Sequence, residues 1–211
     1  MIKNLLFDLG GVIMDIRRQR CVEAFAALGM TRTADLLGDD YVQVGDFLRL
    51  ESGEITPEEF RRIVRGMIPH EVTDGEIDEA LNMFLIGIPR HRLVALRELR
   101  RRYKVFLLSN TNPIMWNSKI AAEFRQEGLE IADYFDGVIT SFEAKCAKPD
   151  EKIFHKFATQ FDCLPEETLF IDDSQANLNA AARLGFHTLL VAQDEEFAEK
   201  LATWIVLQRN V

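Results

Sequence analysis

Four short polar patches in this chain carry residue types that could act together on one group. The first follows the apolar run Asn4-Leu5-Leu6-Phe7, where Asp8 is succeeded by Leu9, Gly10 and Gly11. A carboxylate at a strand end can attack phosphorus and split a hydrolysis into two easier steps. Glycines behind it permit close approach of backbone to a ligand. The second patch, Ser109-Asn110-Thr111-Asn112, offers a hydroxyl and backbone N–H groups to phosphoryl oxygens. The third is Lys148, held extended by Pro149 and able to neutralise both a nucleophile and an incoming phosphoryl group. Lys145, three residues earlier, is its rival. The fourth is Asp172-Asp173, closing the run Thr168-Leu169-Phe170-Ile171. Adjacent acids repel unless a cation sits near them, and hard Mg²⁺ prefers carboxylate, carbonyl, phosphate and water ligands.

Each patch also has a plainer reading. An acid after a strand commonly caps a turn or helix, Ser-Asn-Thr-Asn is an ordinary turn, and a single lysine is usually a solvated charge. Four polar switches after apolar runs, in this order, instead point to one phosphate- and metal-binding site assembled across a parallel sheet.

The elements that must position these residues are legible as apolar runs. Ile2–Phe7, Val105–Leu108, Gly137–Thr140, Leu169–Ile171 and Thr188–Val191 read as strands, mostly continuous rather than alternating, as in parallel strands covered on both faces. Helical patterns separate the later runs: Arg92–Tyr103, Glu151–Phe161 and Gln175–Leu184, the last stopped by Gly185. This alternation predicts an α/β fold with a Rossmann-like, doubly wound parallel sheet. Residues 16–88 break the pattern. They show no convincing strand but four amphipathic stretches, Arg20–Leu28, Asp39–Leu50, Thr56–Met67 and Asp74–Leu85. Thr56-Pro57-Glu58-Glu59 and Thr73-Asp74-Gly75-Glu76 are helix starts, the first with the pattern of a capping box. The predicted organisation is a core of residues 1–15 and 89–211 interrupted by a helical cap, 16–88.

Bulk properties exclude several classes. The chain has 211 residues, long enough for a substantial core, and its 47% apolar and 28% charged content is that of a soluble globular protein. A net charge of −9 argues against general nucleic-acid binding, which depends on phosphate neutralisation. No apolar run reaches the length of a membrane span, and the start lacks a signal-peptide pattern, so a cytoplasmic location is expected. Cys21, Cys146 and Cys163 are scattered, which predicts reduced thiols, and the four histidines show no zinc-site spacing. The expected partner is a small-molecule phosphate, with no clue to an oligomeric state.

As a set, Phe7-Asp8-Leu9-Gly10-Gly11-Val12, Ser109-Asn110-Thr111, Lys148-Pro149-Asp150 and Asp172-Asp173 resemble the four motifs of the haloacid dehalogenase-like hydrolase superfamily. The likeness spans nearly the whole chain. It implies that Asp8 is the nucleophile, that Ser109, Asn110 and Lys148 hold the phosphoryl group, and that Asp8, Gly10 (through its carbonyl), Asp172 and Asp173 serve Mg²⁺. It also implies a sheet in which Ile2–Phe7 and Leu169–Ile171 lie side by side, with Asn177 in support behind the metal site. Asp-Leu-Gly-Gly-Val with Ser-Asn-Thr-Asn is most similar to a helical-cap phosphatase subgroup that includes α-D-glucose-1-phosphate phosphatase.

One departure matters. Phosphatases of this family usually carry a second aspartate two residues after the nucleophile, as general acid and base, and here that position is Gly10. Such proton transfer is typically worth about 10²–10⁴-fold. The leading expectation is a Mg²⁺-dependent phosphatase of a small phosphomonoester, through an aspartyl-phosphate. It should favour leaving oxygens that need little protonation, unless water or a cap residue supplies the proton. The alternatives are a metal-independent 2-haloacid dehalogenase and a catalytically weak regulatory or binding protein of the same fold. The dehalogenase would need an active-site arginine, for which Arg17, Arg18 and Arg20 lie just past the first loop. Trp116 is placed either to roof the site or to pack in the core.

Overall fold

Leu5, Leu6 and Phe7 have no exposed surface, and neither do Val105, Leu107 and Leu108 or Leu169, Phe170 and Ile171. Continuous burial of this kind requires cover on both faces of a sheet. The computed structural model describes residues 1–33, 36 and 45–208. In chain order its strands are β1 (Asn4–Phe7), β2 (Asp15–Ile16), β3 (Leu85–Gly87), β4 (Lys104–Ser109), β5 (Gly137–Thr140), β6 (Thr168–Asp172) and β7 (His187–Leu190). Among the described residues, five of them form a parallel sheet in the order β5-β4-β1-β6-β7. The main helices are α1 (Arg18–Ala27), α2 (Gly45–Glu51), α3 (Pro57–Gly66), α4 (Asp74–Asn82), α5 (Arg90–Arg100), α6 (Glu151–Phe161), α7 (Gln175–Arg183) and α8 (Phe197–Gln208). This is the expected α/β fold, with β1 beside β6.

Alternate strand residues feed two cores, because successive side chains point to opposite faces. Leu5, Phe7, Leu107 and Ile171 pack on one side with Leu93 and Leu96 of α5 and Phe197 of α8. Leu6, Phe106, Leu108 and Phe170 pack on the other with Phe154 and Phe157 of α6 and Leu178 of α7. Aromatic rings meet edge to face within the second layer, Phe106 with Phe157 and Phe154 with Phe170. Such pairs add about 0.5–1.5 kcal/mol beyond their buried area.

Between β1 and β4 the chain leaves the sheet for α1 to α4. The expected absence of strands here is corrected by β2 and β3, which pair antiparallel, Asp15 with Gly87 and Ile16 with Leu85. A strand of two or three residues is too short to show any alternation in sequence. This ribbon brings the outgoing and returning chain side by side at the edge of the core. The stretch expected as Asp39–Leu50 falls partly outside the described residues; its described part is α2. The helix expected at Arg92–Tyr103 runs instead from Arg90 to Arg100, and α8 falls beyond any helix the sequence reading assigned.

Both threonine starts close as capping boxes: the Thr56 hydroxyl accepts from Glu59 N and the Thr73 hydroxyl from Glu76 N, while each glutamate accepts from the cap backbone N–H. Thr56→Ala should therefore destabilise the protein by about 1 kcal/mol and lower its melting midpoint by about 2–4 °C. A thermal melt checks this. An unchanged midpoint would mean that packing alone holds α3.

Candidate active site

The sheet register decides which side chains meet. Phe7 pairs with Ile171 on one side and with Leu107 on the other, and Asp8 N donates to Ile171 O at 2.9 Å. Asp8 therefore lies level with Asp172, one strand spacing (about 4.8 Å) away. Ser109 ends β4 on the opposite flank. The chain runs from β1 through β4 and β5 in one direction, then crosses back to β6 and β7. In open α/β sheets ligands bind at this switch point, outside the carboxyl ends of the strands.

Lys148 joins the two carboxylates. Its Nζ donates to Asp8 Oδ1 at 2.5 Å and to Asp172 Oδ2 at 2.8 Å, with the lysine side chain only 1% exposed. The Phe170 ring lies beneath it, 5.4 Å from Nζ to the ring centroid. Asn110 fixes the lysine from behind: its Oδ1 accepts from Lys148 N and its Nδ2 donates to Lys148 O, both at 2.9 Å. The rival Lys145 turns away and donates to Gly53 O at 2.6 Å.

Asp172 is heavily engaged. Besides Lys148 it accepts from Ser174 N at 2.8 Å and from Asn177 Nδ2 at 3.0 and 3.2 Å. Asp173 has only a long contact from Gln193 Nε2, 3.4 Å, and lines the cavity. Of the acid pair, Asp173 is thus the one with oxygens left to give. Gly11, at φ +81°, lies so close to it that a Cβ would overlap the Asp173 carboxylate. The glycine is required both by its backbone and by this contact.

Oxygens of Asp8, Asp172 and Asp173 lie within 4.8 Å of one another, the one such acidic, cysteine or histidine cluster among the described residues. Three carboxylates and one ammonium leave two negative charges, which suits a hard divalent cation. Their protonation is perturbed accordingly. Burial pushes Asp8 up to about 7; the Lys148 charge opposes this, and Asp172 and Asp173 add to it. Burial disfavours a charged Lys148, but Asp172 and Asp8 outweigh it and hold the ammonium above the usual lysine range. Asp173 is raised by burial and then by Asp172.

The second polar patch divides its work. Ser109 is buried and lines the cavity, and the buried Thr111 hydroxyl lines it too without a hydrogen-bond partner. Asn110 clamps Lys148, so its side chain is spent. Asn112 accepts from Met115 N at 3.0 Å and starts the helical turn Pro113–Met115. Trp116 packs against the core, while its neighbour Met115 lines the cavity.

The cavity measures about 870 Å³ and is walled on one side by Ile16, Arg18, Phe47, Glu51 and Phe84 from the insertion. Of the three early arginines, Arg18 is the one that reaches it; Arg17 is exposed and Arg20 points at Met83 Sδ. Buried atoms Arg18 Nε and Glu51 Oε2 have no hydrogen-bond partner. Sequence reasoning set Thr111 within the second motif but gave it no role of its own, and it passed over Glu51 and Gln193, which stand alone in their segments without a motif around them. It also missed Arg92, whose buried guanidinium ties Asp15 Oδ1 (2.7 Å) and the Ile13 carbonyl (3.3 Å) to Glu196 (2.9 Å) and so braces the loop behind the nucleophile. Its arginine-rich helix gave no hint of burial.

Among the described residues no helix is long and apolar enough to cross a membrane, and the three cysteines are free and buried. Comparison with known proteins places this geometry. A family model for the haloacid dehalogenase-like hydrolases matches residues 2–185. A D-ribitol-5-phosphate phosphatase of Bacteroides thetaiotaomicron is 36% identical over 201 residues, covering 95% of this chain and 97% of that protein. A haloacid dehalogenase family enzyme from the same organism, solved in complex with magnesium and inorganic phosphate, superposes with a TM-score of 0.89 at 40% identity, over 94% of this chain and 98% of that one. A predicted hydrolase of this kind from Porphyromonas gingivalis gives a TM-score of 0.89 at 36% identity, over 97% and 98%. The chain belongs to the haloacid dehalogenase-like hydrolase family.

Proposed function

We propose that this hydrolase removes phosphate from a small sugar or polyol phosphate, through a phosphoryl group carried on Asp8. The observation that supports this best is the Asp8–Lys148–Asp172 bridge with Asp173 left open beside it. Asp8 attacks phosphorus in line, while Lys148 offsets its charge and that of the phosphoryl oxygens. Ser109 and Thr111 hydroxyls, with loop N–H groups, hold those oxygens. Asn110 acts through its clamp on Lys148 and its own backbone N–H. Asp8, the Gly10 carbonyl and Asp173 would hold Mg²⁺, with Asp172 behind them accepting from Asn177 and Lys148 and so holding the lysine in place. When bound, the ion neutralises the phosphoryl oxygens and the nucleophile.

The polyol class rests on two supports. The relative noted above is a phosphatase of D-ribitol-5-phosphate. The insertion also presents Arg18 and Glu51 to the cavity, unpartnered polar groups suited to a hydroxyl-bearing body. Residues 16–88 serve as the cap over the core of 1–15 and 89–211, excluding water and choosing the substrate. A metal-free dehalogenase would leave the two surplus negative charges of the cluster, Asp8 included, uncompensated, which disfavours that reading.

Asp8→Asn keeps the shape but not the nucleophile, and turnover of a sugar phosphate should fall by at least about 10³-fold in a folded protein. Retention of more than about a tenth of the activity would rule out the covalent role. Excess chelator should abolish turnover and added Mg²⁺ restore it; full activity in EDTA contradicts the metal site. The two acids should separate cleanly. Asp173→Asn should raise half-saturating Mg²⁺ by at least about tenfold without lowering the melting midpoint in metal-free buffer, since it relieves repulsion. Asp172→Asn should lower that midpoint, because Lys148 loses a buried partner. Identical behaviour of the two variants would refute this division. Gly11→Ala should displace Asp173 and weaken Mg²⁺ to a similar degree, read by the same titration.

A further inference from the structure

We propose that Glu51, at the end of α2 in the cap, donates the proton to the leaving oxygen and then serves as base toward the attacking water. This rests on the phosphatase reading above. Position 10 has no side chain, and Ile16 stands in van der Waals contact, 3.5 Å, with where a Cβ would be. A proton donor must therefore come from elsewhere in the cavity wall.

The acids that line the cavity can be sorted by their partners. Asp172 is fully bonded behind it and Asp173 faces the cation site. Asp150, at the rim, caps α6 by accepting from Lys152 N at 3.0 Å. Asp15, close behind, is tied to Arg92. Glu51 remains, 3% exposed, with its buried Oε2 unpartnered, lining the wall of the same cavity as Asp8. Arg18 shares that wall, but a guanidinium does not give up its proton in proteins.

The backbone around Glu51 is seated on the core. Two residues on, Gly53 at φ +66° lies so close to the Phe142 carbonyl that any Cβ would overlap it, and Gly53 O accepts from Lys145 Nζ. This seating fixes the Glu51 carboxyl in the cavity wall. Burial, with Asp8 adding and Lys148 opposing, pushes Glu51 up to about 8, so it enters the cycle protonated at neutral pH.

In the first step Asp8 Oδ bonds to phosphorus, the bond from phosphorus to the ester oxygen breaks, and the Glu51 proton passes to that oxygen to release the alcohol. In the second, water gives a proton to the Glu51 carboxylate as its oxygen bonds to phosphorus. The bond from phosphorus to Asp8 breaks, hydrogen phosphate leaves, and both side chains return to their starting forms. The consequence for specificity is that alkyl phosphates are accessible despite Gly10.

Glu51→Gln keeps the size and polarity of the side chain but cannot pass a proton. With Mg²⁺ present, its kcat/KM should fall by about 10²-fold or more on n-propyl phosphate and by a factor at least tenfold smaller on p-nitrophenyl phosphate, whose leaving group needs no proton. Rapid acid quench during turnover of the aryl ester should show more phosphoenzyme than wild type, because the water has lost its base. Glu51→Asp should regain part of the n-propyl phosphate activity. An equal loss on both esters would overturn the proposal, and so would a loss that follows the number of substrate hydroxyls, with n-propyl phosphate spared. Wild-type protein inert toward every phosphate would instead overturn the phosphatase reading itself, and this role with it.

Discussion

Asp8 and Asp172 stand at the ends of neighbouring parallel strands, and two buried carboxylates at such a distance repel by about 3–4 kcal/mol at an effective dielectric of about 20. The Lys148 ammonium between them turns that repulsion into two short charge-assisted hydrogen bonds. Much of the site depends on this bridge. Asn110 grips the lysine backbone from the end of β4, and Asn177 with Ser174 N grips Asp172 from the start of α7. Three separate strand ends are thereby held in one arrangement. Removing the lysine would leave uncompensated buried charge, a loss of about 3–5 kcal/mol in comparable cases. Because Asp172 is used up in the bridge, Asp173 is the acid left to face a cation, and Gly11 has no side chain so that it can approach.

The cavity wall from residues 16–88 complements this core differently. Phe47 and Phe84 supply apolar cover, while Arg18 Nε and Glu51 Oε2 bring unpartnered polar atoms to it. Electrostatic contacts strengthen as water leaves, so a polar group in this wall acts most strongly on an enclosed substrate. The antiparallel pairing of Asp15–Ile16 with Leu85–Gly87 sets both chain crossings together, beside the loop that Arg92 braces.

Much of the core was legible in the sequence because it obeys short-range rules. Continuous burial marks β1, β4 and β6 as apolar runs, and the residue where each run turns polar is the one the fold brings to the sheet's carboxyl edge, as at Asp8, Ser109 and Asp172. The capping box at Thr56 and the helix start at Thr73 are equally local and appear as read, the second closing as a box as well. What stayed hidden depends on long-range placement. Nothing adjacent to Glu51 distinguishes it from Glu54 or Glu58, and only the seating of α2 on the core buries it. The distinction between Asp172 and Asp173 likewise needed partners from Lys148, Asn177 and Gln193, which lie on other elements. The β2–β3 ribbon is too short to carry a period. Lys148 is marked out from Lys145 in the sequence by the proline after it and by the motif it resembles, but the different aim of the two side chains, Lys145 donating to Gly53 O, depends on long-range packing.

The most direct test of covalent catalysis at Asp8 is the stereochemical course at phosphorus. An isotopically chiral thiophosphate ester, hydrolysed by this protein in oxygen-labelled water, would reveal how many in-line displacements occur. Transfer first to Asp8 and then to water makes two displacements, and the product should retain configuration. Inversion would mean that water attacks the substrate directly, and Asp8 could not then carry the phosphoryl group.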